Sequence, residues 1–326
     1  MTEHYAFVEE NYFRIKSCEL VRKNIGISYK VIDFSDNKYI LKINPSIHES
    51  LTGLQYCVEG ISSEIKIIKS IPNNKWFNVP TPIKNKDGNF ISYCHDSCGN
   101  LCSAYLLKWI DGVTLENCNG EMDKTIKQFG VSLSRLHNMM SEVSANKDLQ
   151  RPIYNIEKFE IIISKLQKAI IDNIITESNF QIFLNTFRHA KEIIRTLHKD
   201  RSTYGLIHAD LQGSNIIIGE ECKIGFIDFT ASGYGFYLHD VADAIATMNT
   251  ESRPAFLYAY NDNCEYDAHS LHVISTFAIL TYLNAYSMHL NNKNMSRWIS
   301  ANSDYLAIQI CPRYLRGESI CYDIHI

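Results

Sequence analysis

The sequence predicts an α+β fold: a small strand-rich N-terminal lobe, then a larger, mainly helical C-terminal lobe. Three observations carry this reading. Apolar residues alternate in steps of two between residues 26 and 43, and they recur at helical three-to-four spacing from Glu121 onward. They also crowd into two short β-branched runs within residues 216–227. A chain of 326 residues buries a large core and suits two lobes better than one compact unit. The expected boundary gives 1–108 as the N-terminal lobe and 109–326 as the C-terminal lobe.

The elements follow in order. Gly26 to Phe34 alternates as a strand, Ser35-Asp36-Asn37 is a turn cluster, and Lys38 to Ile43 resumes as a second strand with Lys42 inside it. A lysine in an apolar strand must reach an anion, or else solvent from the polar face of an edge strand. A helix is expected from about Ser46 to Ile71, with Ile61, Ile65, Ile68 and Ile71 on one stripe and Glu64 beside them, placed to pair with Lys42 or to face water. Leu101 to Ile110 reads as a buried strand stopped by Asp111-Gly112.

In the C-terminal part, Ile126, Phe129, Leu133, Leu136 and Met140 mark a core helix, with His137 beside them as a packed residue. Ile156 to Ile175 and Phe180 to Leu197 are two further helices joined near Thr176-Glu177-Ser178. Ile216 to Ile218 and Lys223 to Ile227 form a hairpin through Gly219-Glu220-Glu221. Gly233 to Ala242 resembles a glycine-aromatic turn followed by a helix start known from related chains, with Asp240 placed to cap that helix and brace the loop that carries Asp210.

Composition excludes several functions. Hydrophobic residues make up 45% and charged residues 21%, ordinary for a soluble globular protein. No run of eighteen apolar residues occurs, so no membrane span is expected. The start Met1-Thr2-Glu3-His4-Tyr5 lacks a signal-peptide pattern, so a cytoplasmic location is expected. A net charge of −4 with scattered lysines argues against nucleic acid as a partner. Among ten cysteines, Cys94, Cys98 and Cys102 lie near His95, but the second ligand pair of a zinc site is missing, so reduced thiols are expected. The sequence sets no oligomeric state.

The chemistry concentrates in His208-Ala209-Asp210, in Asn215 five residues on, and in Ile227-Asp228-Phe229. A hairpin between Asn215 and Asp228 would bring an amide oxygen and a carboxylate together, a donor pair for magnesium against nucleotide phosphates. Asp210, on the loop entering it, would orient an attacking hydroxyl and accept its proton.

On these residues the chain resembles the aminoglycoside phosphotransferase and choline kinase group, small-molecule kinases with the two-lobed protein-kinase-like fold. The resemblance implies Asp210 as catalytic base, Asn215 and Asp228 as magnesium ligands and His208 as a structural member of the loop. It implies that Lys42 contacts the α- and β-phosphates and that Glu64 fixes its ammonium. Backbone groups from Leu107 to Trp109 would bind adenine, although the same strand is equally readable as ordinary core. The cofactors implied are ATP, or GTP, with Mg2+. Residues 1–108 would then be the nucleotide-binding lobe and 109–326 the catalytic and substrate-binding lobe.

This chain departs from the group at three places. Ala209 stands where glycine is common, Thr230 and Ala231 stand where a further acidic residue often follows, and Gly26 alone represents a glycine-rich loop. The last departure favours small-molecule kinases over protein kinases. The expected activity is phosphorylation of a hydroxyl on a small molecule: an aminoglycoside-like antibiotic, an amino sugar or an amino alcohol. Asp243, Glu251, Asp262, Glu265 and Asp267 are candidate lining residues for that acceptor. The alternatives are a Ser/Thr protein kinase of the same fold and a nucleotide-binding module without catalysis.

Overall fold

The computed structural model describes residues 3–23, 25–45, 53–144, 148–290 and 292–324. In chain order the elements are α1 (Glu3–Asn11), β1 (Ile15–Lys23), β2 (Ile27–Asp33), β3 (Lys38–Pro45), α2 (Val58–Ser70), β4 (Phe77–Asn78), β5 (Pro82–Ile83), β6 (Ser92–His95), β7 (Leu101–Lys108) and β8 (Val113–Thr114). There follow α3 (Met122–Val143), α4 (Ile156–Ile171), α5 (Glu177–Thr196), β9 (Tyr204–Ile207), β10 (Ile216–Ile218), β11 (Ile224–Phe226), β12 (Gly233–Phe236), α6 (Tyr237–Ala246), α7 (Arg253–Tyr260), α8 (Ala268–His289), α9 (Lys293–Asp304) and α10 (Cys311–Leu315). The fold class is α+β, with strands dominating the N-terminal region and helices the C-terminal part.

The chain divides into two compact units. The first comprises Met1–Val113, Ala145–Pro152 and Ile217–Ser232, and the second comprises Thr114–Ser144, Ile153–Ile216 and Gly233–Ile326. Where the sequence expectation drew one boundary after Lys108, the fold assigns two later segments, including that of Asp228, to the first unit.

The first unit is built on a sheet ordered β1-β2-β3-β7-β5, with β6 also paired to β7. Strand alternation sorts its side chains. Leu41 and Ile43 of β3 join Val31, Ala104, Leu106 and Ile15 in a core that includes Phe7, Val8 and Tyr12 from α1 and its C-terminal end. Ile40 packs in a second cluster with Tyr105, Leu107 and the α2 residues Ile61 and Ile65. Lys42 lies two residues along from Ile40, so the same alternation sends it toward α2. β7 is buried at every position from Cys102 to Leu107 because both faces are covered.

The helix expected from about Ser46 begins at Val58, after a short 3-10 turn at Leu54–Tyr56; residues 46–52 lie outside the described residues. Cys57 caps α2 by accepting the Gly60 N–H. Gly60 is required there, because a Cβ would stand 2.0 Å from the Leu54 carbonyl oxygen. A second sheet in the order β4-β11-β10-β8 carries the expected hairpin. Its turn is reached without glycine at the bend: Glu221 and Cys222 adopt φ of +54° and +63°, the pair of left-handed positions of a type I′ turn.

In the second unit α3 buries Ile126, Phe129, Leu133, Leu136 and Met140, the stripe read from the sequence. Asn155 caps α4 by accepting the Lys158 N–H, and Thr176 caps α5 by accepting the Asn179 N–H. The expected glycine-aromatic turn is instead a strand: β12 pairs antiparallel with β9, placing Gly233 opposite Ile207 and Gly235 opposite Gly205. The glycines give that ladder a close approach, as a Cβ on Gly235 would meet Ile207 Cδ1 at 2.6 Å.

Candidate active site

In the first unit, register sets Lys42 opposite Tyr105 on β7 and Ser28 on β2. Its ammonium donates to Asp228 Oδ1 at 2.7 Å and to Thr230 Oγ1 at 2.6 Å. Glu64 Oε1 lies 3.6 Å away, an ion pair longer than a hydrogen bond. Glu64 is fully buried, and its Oε1 accepts the Tyr105 hydroxyl at 3.0 Å. Burial opposes the Lys42 charge, but the Asp228 and Glu64 carboxylates outweigh it and hold the amine well above the ordinary lysine pKa. The structure thus joins Lys42, Glu64 and Asp228, three residues singled out from the sequence. Thr230 was missed, since a hydroxyl in place of an acid carries no charge signal.

Leu107 is buried among Ile61, Ile65 and Tyr105. The Lys108 N–H donates to the Thr81 carbonyl at 2.8 Å and the Trp109 N–H to the Lys38 carbonyl at 3.0 Å. These two donors are therefore engaged within the unit. The Trp109 indole carries the Lys30 ammonium 5.0 Å from its ring centre.

In the second unit, the loop from His208 to Asn215 is held by two carboxylates of α6. Asp240, fully buried on α6, accepts the backbone N–H of His208 and of Ala209, each at 2.7 Å. It also meets His137 Nε2 at 2.9 Å, while His137 Nδ1 lies 2.8 Å from the Tyr260 hydroxyl. Burial works against the Asp240 charge, but the hydrogen bond and charge of His137 prevail and lower its pKa. The side chain braces the loop; it does not cap α6, whose N-cap is Phe236, with no side-chain cap bond.

Ala209 takes φ +61°, the left-handed backbone that glycine adopts freely. One turn along α6 from Asp240, Asp243 accepts the Leu211 N–H at 2.5 Å. Burial and then the neighbouring Asp210 charge push the Asp243 carboxyl up to about 8. Asn215 is buried, and its amide nitrogen donates to the Asp210 carbonyl at 2.9 Å and to Asp210 Oδ2 at 2.8 Å. That geometry leaves Asn215 Oδ1 as the atom turned to another partner. In sequence, Asn215 immediately precedes β10 and Asp228 follows β11.

A carboxylate on Asp228 and an amide oxygen on Asn215 are hard donors, the chemistry that magnesium selects. The first unit thus holds a lysine beside a buried glutamate, and the second holds a braced His-x-Asp loop. Residues 28–271 match the sequence profile of the phosphotransferase enzyme family (APH), and the chain belongs to that family. Among solved structures, the chain is similar to amicoumacin kinase hAmiN in complex with AMP-PNP, Ca2+ and Ami, at 17% identity and TM-score 0.70, covering 94% of each chain. It is similar to a microcompartment-associated aminopropanol kinase at 17% identity and TM-score 0.72, over 92% of this chain and 93% of that one. Spectinomycin phosphotransferase APH(9)-Ia, in complex with ADP and spectinomycin, aligns at 16% identity and TM-score 0.65 over 97% of this chain and 96% of that one. No curated protein sequence matches. Among the described residues no helix is long and apolar enough to cross a membrane.

Proposed function

We propose that this protein transfers the γ-phosphoryl group of ATP to a hydroxyl of a small molecule in the cytoplasm, with Mg2+ as the metal. The observation that carries the reading is the Lys42 ammonium, held at 2.7 Å by Asp228 and at 3.6 Å by the buried Glu64. A half-buried cation so fixed is suited to the α- and β-phosphates of a nucleotide. Asp228 and Asn215 Oδ1 would hold the metal, which neutralises phosphate charge when bound. Asp210, steadied through its carbonyl and Oδ2 by Asn215, orients the acceptor hydroxyl and accepts its proton. Leu107 supplies an apolar surface for adenine. With the Lys108 and Trp109 N–H groups engaged, we assign the adenine-binding donor to the next residue, Ile110. Nucleotide binding then falls to residues 1–108, completed by Ile110 and by the metal-holding Asn215 and Asp228, and proton removal and acceptor binding to 109–326.

The acceptor class we favour is an aminoglycoside-like antibiotic or related amino sugar, ahead of an amino alcohol. Similarity to an amicoumacin kinase, a spectinomycin phosphotransferase and an aminopropanol kinase supports that range. The test is a transfer screen over antibiotics, amino sugars and amino alcohols with ATP and with GTP, run beside the Asp210→Ala variant. Turnover on at least one small molecule, abolished by Asp210→Ala while nucleotide binding persists, is expected. Full activity in that variant would remove Asp210 from its role, and phosphate appearing only on added proteins would assign a protein kinase.

A further inference from the structure

Among the described residues the mechanism above leaves two buried arginines unused: Arg253, which donates to the Met248 and Cys321 carbonyls, and Arg151 beside the lysine site. Arg151 lies in the segment after α3 and is 3% exposed. Burying a guanidinium is costly unless its donors are satisfied. Here every nitrogen has a partner: Nε donates to the Ser232 carbonyl at 2.6 Å, Nη1 to the Gly60 carbonyl at 3.0 Å, and Nη2 to the carbonyls of Phe229 and Thr230 at 3.0 and 2.5 Å and to Ser232 Oγ at 3.0 Å. The neighbouring Gln150 N–H donates to Ser63 Oγ at 2.8 Å, a second attachment of this segment to α2.

The two ends of this fork are not arbitrary stretches of core. Gly60 lies in the first turn of α2, one turn before Glu64. Phe229 to Ser232 follow Asp228 directly and include Thr230, whose hydroxyl takes the Lys42 ammonium. Arg151 therefore grips, in one planar group, the backbone behind both sets of acceptors that surround Lys42. We propose that Arg151 is a positioning residue that fastens α2 to the 228–232 segment, so that Glu64 on one side and Asp228 with Thr230 on the other hold Lys42 in its phosphate-binding position. The proposal rests on the reading of Lys42 and Asp228 as nucleotide-binding groups. Arg151 itself touches neither nucleotide nor acceptor in this scheme.

A general core role and a positioning role differ in what they do to ligands. Arg151→Met and Arg151→Lys are compared with wild type by calorimetric titration with ATP plus Mg2+ and, separately, with adenosine, and by hydrogen exchange of the unliganded proteins. Adenosine needs the sheet and the adenine surface but not the phosphate-binding groups. Arg151→Met should weaken ATP with Mg2+ by about 10–100-fold, the scale for groups that orient a binding residue from behind. Adenosine affinity should change by no more than about twofold, as for independent sites. Amides in 58–64 and 229–232 should exchange faster together. Arg151→Lys keeps the charge but not the fork, and should fall between; it carries the test if the methionine variant does not fold. Equal weakening of both ligands, or unchanged exchange in the two segments, overturns the proposal. A wild-type protein that binds neither ligand overturns the functional reading instead, and the exchange comparison then decides the fastening by itself.

Discussion

Glu64→Gln isolates the electrostatic part of the lysine site. Glu64 is fully buried, and Gln keeps an oxygen for the Tyr105 hydroxyl while deleting the charge 3.6 Å from Lys42. At that separation and an effective dielectric of about 20, the attraction is about 4–5 kcal/mol. Removing a buried carboxylate also removes its desolvation cost, so the net coupling should be roughly 1–3 kcal/mol. At about 1.4 kcal/mol per factor of ten, kcat/KM for ATP should fall by roughly 5–150-fold. Lys42→Met alone and the double variant complete a cycle, with steady-state kinetics as the assay and urea unfolding of each protein as a check on folding. If the pair acts as a unit, adding Glu64→Gln to Lys42→Met costs much less than it does in wild type. Strict additivity of the two losses would refute the pairing as the source of the effect.

Two further predictions follow from the second unit. The Asp243 carboxyl is raised to about 8 by burial and by the Asp210 charge, so between the unfolded carboxylate pKa and about 8 the native state binds the extra proton. Its contribution to stability is full at low pH and is lost as pH rises through about 8; Asp243→Asn should flatten that part of a urea-measured stability-versus-pH curve, and an unchanged slope would show that Asp243 is not the group titrating. At Ala209, φ of +61° strains an alanine by roughly 1–2 kcal/mol, partly offset by the added chain entropy of a glycine. Ala209→Gly should leave chemical-denaturation stability unchanged or raise it by up to about 1 kcal/mol, whereas Ala209→Val should cost more than about 2 kcal/mol; a destabilising glycine would contradict the strain argument.

Legibility in the sequence tracked how local each signal is. The α3 stripe from Ile126 to Met140 and the β3 position of Lys42 were readable because a periodic face or an alternating strand is written in consecutive residues. The strand β1 and helix α1 were missed: most of β1 is not buried and shows no clean alternation, and α1 is only weakly amphipathic. β12 was mistaken for a turn because its glycines look like chain reversals until Gly235 is set against Gly205 on β9. The site divides the same way. Lys42, Glu64, Asp210, Asn215 and Asp228 stand in recognisable spacings, and Glu64 was found because it flanks the isoleucine stripe of α2.

What spacing could not disclose is the set of groups that immobilise them. Arg151 is bonded to Gly60 and to residues 229–232, some 80 to 90 positions away in sequence, and Asp240 reaches back about 30 residues to the His208 and Ala209 amides. Both bind backbone atoms, which every residue type offers, so nothing at the receiving end marks the partner. Each is nonetheless a buried charge, and a buried charge is tolerated only where it is fully engaged. The rule that makes them invisible from spacing makes them conspicuous in the fold: an arginine and an aspartate removed from water, each donating to or accepting from the main chain beside Asp228 or Asp210, mark the points at which the backbone next to those two carboxylates is fixed.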